Sequence, residues 1–124
     1  MNEQLQDQLR KKYPSITLVD DHNKLSSFAL FGFEIGDGWY KPLASAFDRL
    51  QERLEAGAFV RLTQVKEKYG TLRIYVSTND DTCDEIADEA EDRSSKICEL
   101  CGEPGCLVRR SGWYSTLCPT HSKS

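Results

Sequence analysis

Cys98-Glu-Leu-Cys101-Gly102 and Cys118-Pro-Thr-His121 each place two metal-seeking side chains three positions apart, with 16 residues between the two pairs. A two-residue gap lets both side chains of a turn converge on one ion, and the glycine after Cys101 gives the backbone room to bend back. Three thiolates and one imidazole suit tetrahedral Zn²⁺ and suit hard cations poorly. With all four positions taken by protein, no coordination site remains for a reactive water. A structural zinc held by Cys98, Cys101, Cys118 and His121 is therefore expected. Cys106 is the open alternative, able to stand in for His121 or another member, although its gap from Cys101 lacks the short chelating turn. Cys83 falls at the start of a helical pattern and reads as a small buried hydrophobe.

Catalytic patterns are missing from the sequence. It has no Ser-centred elbow, no phosphate-cradling Gly-Lys-Ser loop, no His-x-Glu with Pro-Cys-x-x-Cys, and no helix carrying two histidines. Apart from His121 the one histidine is His22, in a polar turn, so base chemistry would fall to Asp20 or Asp37, which have no recognisable partner. The expectation is a protein that binds and does not catalyse.

Three surfaces qualify as partner sites. From Asp80 to Asp92 the chain carries eight carboxylates and no basic group, so Asp84, Asp88, Glu89 and Asp92 present a dense acidic face for a cationic protein partner. Lys66 and Lys68, in phase with Gln64, and Arg73 with Tyr75 form a basic, aromatic-edged patch if two strands share a face, suited to a phosphate, carboxylate or base. Arg109, Arg110 and Trp113, with Tyr114, combine charge with stacking surface, as nucleic-acid knuckles do. For each, a solvated face is the plain alternative.

The elements that must position these residues follow from periodicity. Leu5, Leu9 and Tyr13 predict a short amphipathic helix stopped by Pro14. Ile16, Leu18 and Val19 suggest a brief strand, and Phe28 to Ile35, apolar in both alternation phases until Glu34, suggests a buried one. Leu43, Ala46, Phe47, Leu50 and Leu54 mark one face of a helix with Pro42 in its first turn. Val60–Val65 and Leu72–Val76 read as a hairpin joined across Lys66 to Gly70. Thr82 with Glu85 three residues on reads as a capping box opening a helix whose buried stripe runs to Ile97. The order implies an α+β fold: a small antiparallel sheet covered by helices, residues 1–97, with a zinc-ribbon-like knuckle over 98–124.

With 124 residues, 39% hydrophobic and 29% charged, the chain fits one compact domain plus a small appendage. Residues 1–93 carry 12 Lys and Arg against 18 Asp and Glu, whereas residues 94–124 carry 4 against 2. An acidic body with a pI near 5.2 lacks the basic excess of a phosphate-backbone binder, so any nucleic-acid contact would be local. No apolar run approaches the roughly 20 residues of a membrane span. The N-terminus has neither a basic start nor an apolar stretch, which points to a reducing cytoplasm where cysteines bind metal more readily than they pair.

Gly36-Asp-Gly-Trp39, the hairpin Gln64-Val-Lys-Glu-Lys-Tyr-Gly-Thr-Leu-Arg-Ile-Tyr75, and the string from Ile97-Cys-Glu-Leu-Cys-Gly to Gly112-Trp-Tyr-Ser-Thr-Leu-Cys-Pro-Thr-His121 together resemble a family of small phage, prophage and bacterial proteins. The likeness spans about residues 36 to 121 and implies zinc ligands at the same four positions. It implies no activity. By analogy it suggests a phage-encoded protein that binds a host macromolecule, as a host-takeover or anti-defence inhibitor acting by protein contact. Two alternatives stand beside it: a nucleic-acid-binding zinc-ribbon regulator, and a small-molecule or nucleotide binder using the hairpin patch.

Overall fold

The structure, a computed structural model, describes residues 1–123; Ser124, the last residue of the expected ribbon, lies outside the described residues. Its class is α+β, with a three-stranded sheet, a two-stranded sheet and helices packed around the first.

Helix α1 (Glu3–Lys12) is capped by Asn2, whose side chain accepts from the Leu5 N–H at 2.8 Å, and it buries Leu9 with Tyr13 just beyond it. The brief strand expected at Ile16–Val19 is absent. Pro14 opens a turn instead, closed by the Thr17 N–H donating to the Tyr13 carbonyl at 3.0 Å, so only Ile16 of the three apolar residues is buried. The strand expected over Phe28–Ile35 is mostly helix: Ser26 caps α2 (Ser27–Phe31), Gly32 ends it at φ 66°, and only β1 (Phe33–Glu34) is extended. Apolar residues in both phases suit a buried strand and a buried helical turn equally, and the serine cap decides between them.

After a 3₁₀ turn (Asp37–Trp39) comes α3 (Tyr40–Glu55), which buries Pro42, Leu43, Ala46, Phe47 and Leu50 as the spacing predicts. The hairpin β2 (Val60–Lys68) and β3 (Thr71–Thr78) is longer than expected, with a two-residue turn at Tyr69-Gly70 in place of a five-residue connection. Helix α4 (Asp81–Ser94) starts one residue before Thr82 and is capped by Asp80, whose carboxylate accepts from the Thr82 N–H at 2.9 Å, not by the Thr82–Glu85 box. It ends before Ile97. The ribbon is β4 (Cys106–Arg110), β5 (Trp113–Leu117) and the one-turn α5 (Pro119–Ser122).

In the main sheet, ordered β1-β2-β3, β2 and β3 are antiparallel and β1 joins parallel to β2, so the sheet is mixed. A parallel neighbour needs a crossover between its strands, and α3 supplies it. Val60, Leu62, Val65, Leu72 and Ile74 point to one core with α3 and α4, completed by the rings of Tyr13, Phe28, Phe33 and Phe47. Those rings meet edge-on or tilted at 5.1 to 6.1 Å, the arrangement their quadrupoles favour. No described helix is long and apolar enough to cross a membrane.

Candidate metal centre

The first chelating turn is bound to the body by its backbone. The Gly38 N–H donates to the Glu99 carbonyl at 2.7 Å, the Gly36 N–H to the Glu99 carboxylate at 3.0 Å, and the Trp39 indole N–H to the Ile97 carbonyl at 2.8 Å. Gly38 has to be glycine because a Cβ there would sit 2.6 Å from the Gly102 nitrogen and against the Cys98 carbonyl. Gly-Asp-Gly-Trp is thus the socket of the Cys98–Cys101 turn. The two carboxylate oxygens of Asp37 accept from the Asn2 backbone and side-chain amides at 2.8 and 3.0 Å, joining α1 to the same socket. The second turn arrives on β5, where the Glu99 N–H donates to the Thr116 carbonyl at 3.0 Å.

These contacts bring Cys98, Cys101, Cys118 and His121 together, their ligand atoms all within 4.8 Å of one another. Cys98 and Cys118 are buried, His121 is half-buried and Cys101 is exposed. The Cys101 and Cys118 sulfurs are 3.7 Å apart, and His121 Nδ1 lies 3.5 Å from the Cys98 sulfur and 3.2 Å from that of Cys118. A tetrahedral ion with sulfur at about 2.3 Å and nitrogen at about 2.0 Å separates sulfurs by about 3.8 Å and sulfur from nitrogen by about 3.5 Å. The donor set and its spacing therefore fit a four-coordinate metal site. Cys106 is not part of the cluster; it opens β4, exposed, opposite Leu117.

The electrostatics of the four side chains agree with that chemistry. Burial raises the Cys98 thiol, but the N–H groups of Cys118, Cys101 and Leu100 donate to its sulfur and bring it down to about 6. The His121 N–H lowers Cys118 against its burial. Cys101, although it receives the Glu103 N–H, is raised by partial desolvation and by the sulfurs of Cys98 and Cys118. His121 is raised by the sulfurs of Cys118 and Cys98. A bound divalent cation lets all three sulfurs ionise together. Glu99, between the two cysteines of the first turn, is raised by its burial despite the Gly36 N–H.

The other candidate residues fall into different settings. Gln64 faces Tyr75 and Lys66 faces Arg73 across β2 and β3, so the hairpin patch does share one face, but Arg73 reaches Glu91 at 3.4 Å. On the acidic helix, Glu89 pairs with Arg49 and the cap Asp80 with Arg53 at 2.6 Å, while Asp84, Asp88 and Asp92 are exposed. Arg109 lies opposite Tyr114 and Arg110 opposite Trp113 in the ribbon hairpin. Trp39 is fully buried. Asp37 borders a cleft walled by Tyr40, Lys41, Arg93, Cys101 and Glu103.

Two features escaped the sequence reading. Thr116 is a buried hydroxyl donating to the Gly70 carbonyl at 2.6 Å, which ties the ribbon to the tip of the main hairpin. Tyr69 takes a left-handed φ of 53° in that tip. The Tyr-Gly pair was a visible turn signal, whereas nothing in the sequence marks Thr116 apart from its place two residues before Cys118. No family description, curated protein or solved structure matches the chain.

Proposed function

We propose that the chain is a non-catalytic binding protein whose Zn²⁺ ion is structural, fixing the ribbon against the body so that exposed side chains of both are held in one arrangement. The convergence of three sulfurs and one imidazole nitrogen at tetrahedral spacing carries this reading. Zinc is preferred among metals because thiolate-rich four-ligand sites favour it, and the saturated donor set gives it no role in activating water. The partner is a macromolecule. A cationic protein would meet the acidic face of α4 through the exposed Asp84, Asp88 and Asp92. The pairing of Asp80, Glu89 and Glu91 with arginines of the same chain reduces that face's free charge and moves weight to the ribbon.

Elemental analysis and X-ray absorption on purified protein test the metal assignment. One zinc per chain, with three sulfur neighbours at about 2.3 Å and one nitrogen at about 2.0 Å, is expected. Substoichiometric zinc after growth in zinc-replete medium would overturn it.

A further inference from the structure

The tips of the two hairpins enclose a cleft of about 380 Å³ lined by Glu67, Lys68, Tyr69, Gly112, Trp113 and Tyr114. That volume lies within the roughly 300–1,000 Å³ of small-ligand sites. Three aromatic rings stand at its walls without core burial, with Trp113 78%, Tyr69 67% and Tyr114 40% exposed. Cations accompany two of them: Lys68 Nζ is 5.7 Å from the Tyr69 ring and the Arg109 guanidinium 5.7 Å from that of Tyr114.

Tyr69 supplies a second, independent observation. It and Gly70, at φ 53° and 82°, form a turn of the type that Asn-Gly or Asp-Gly makes most cheaply. A tyrosine is strained there, and its ring, beside Lys68, stays mostly exposed and outside the core, so burial does not offset the strain. The walls are also preset. Thr116 holds the Gly70 carbonyl, and Gly70 lacks a Cβ where one would meet the Leu107 side chain at 2.6 Å and the Ser115 nitrogen at 3.0 Å. Glu67, the carboxylate at the cleft, is tied to the Gly70 N–H at 2.7 Å.

The geometry points to a binding site for single-stranded nucleic acid in this cleft, with bases stacked on Trp113 and Tyr69 and phosphates met by Lys68 and Arg109. Exposed aromatic faces beside cations recognise unpaired bases, whose π-faces a duplex hides. A chain of net charge −4 lacks the basic stripe that tracks a duplex, so binding is short-range and salt-sensitive. The inference rests on the proposed reading of the chain as a binding protein with a metal-fixed ribbon.

The test is a titration of the zinc-loaded full chain with an oligothymidylate of roughly 15 nucleotides, followed by tryptophan fluorescence. The sequence holds two tryptophans, and Trp39 is buried, so quenching reports Trp113. Saturable quenching that weakens between about 50 and 200 mM salt is expected. Trp113→Ala, followed by anisotropy of a labelled oligonucleotide, is expected to weaken binding about tenfold or more. Tyr69→Asn relieves the turn, so it is expected to keep or raise the melting temperature while weakening binding several-fold. Arg109→Gln is expected to reduce the salt slope by about 0.7.

Absent quenching, equal affinity for the duplex of the same length, or unchanged affinity in both aromatic variants would overturn the site. So would quenching by a trimethyllysine peptide and not by the oligonucleotide, which would make the cleft a cation cage. Zinc content is read on the same sample. One zinc per chain without oligonucleotide binding removes the cleft and leaves the metal reading intact, whereas binding that persists in the metal-free chain keeps the cleft and removes the metal's role in shaping it.

Discussion

The body and the ribbon are held together by different physics. Up to Ala90 the chain places nineteen residues in one buried hydrophobic cluster, including four aromatic rings and Trp39. Among the described residues from Cys98 onward the buried ones are Cys98, Thr116 and Cys118, and the large apolar side chains Leu100, Leu107, Trp113 and Tyr114 are exposed. Burial drives folding in the first region and has little to act on in the second. The ribbon has instead the cluster of Cys98, Cys101, Cys118 and His121, hydrogen bonds to the Gly36–Trp39 socket, and the Thr116 hydroxyl bond to the Gly70 turn. On the proposed reading stability and display are thereby separated: a bound metal would free the ribbon from needing a core, and its large apolar and aromatic groups Leu100, Leu107, Trp113 and Tyr114 are exposed.

Removing a ligand strikes that contrast hardest. Cys118→Ser is expected to abolish stoichiometric zinc binding, worth about 10–16 kcal/mol in small zinc modules, and to unfold the ribbon while the body's far-ultraviolet signal largely remains. Metal analysis with circular dichroism checks it. Phe47→Ala acts on the opposite region: a fully buried ring in contact with Tyr13 and Phe33 is lost, at about 3–5 kcal/mol in denaturant unfolding. Trp39→Phe tests the joint between the two. Loss of the indole donor to the Ile97 carbonyl is expected to cost about 1–3 kcal/mol with zinc stoichiometry unchanged, read by thermal unfolding and metal content together. Cys106→Ser should be the mildest, within about 0.5 kcal/mol and with full zinc content, because that thiol is exposed and outside the cluster.

Much of this was legible in the sequence where a single physical signal dominated. The apolar face from Leu43 to Leu54 has one period and became α3; the alternation around Val60 and Leu72 became β2 and β3; paired two-residue gaps pointed to the four side chains that cluster. Legibility failed where two structures share one pattern. Phe28 to Ile35 is apolar in both phases, and the choice of helix lay in the Ser26 cap and the Gly32 stop. Ile16 to Val19 has strand-forming residues, but Pro14 and the Thr17–Tyr13 bonds make a turn. The capping box at Thr82 lost to Asp80, which both caps α4 and pairs with Arg53. Long-range contacts were out of reach: Gly-Asp-Gly-Trp was visible as a motif, but its use as the socket of the first cysteine turn depends on residues some sixty positions away in sequence, such as Gly36 and Glu99. The phage setting and host partner came from resemblance alone and gain nothing from the geometry.

Hydrogen–deuterium exchange on the zinc-loaded protein, before and after chelation, tests most directly whether metal is what holds residues 98–123 in place. Chelation is expected to expose the Cys98, Glu99, Gly102 and Gly105 amides, together with Gly38, while the α3, β2 and β3 amides stay protected. Protection that persists across the ribbon in metal-free protein would contradict the account.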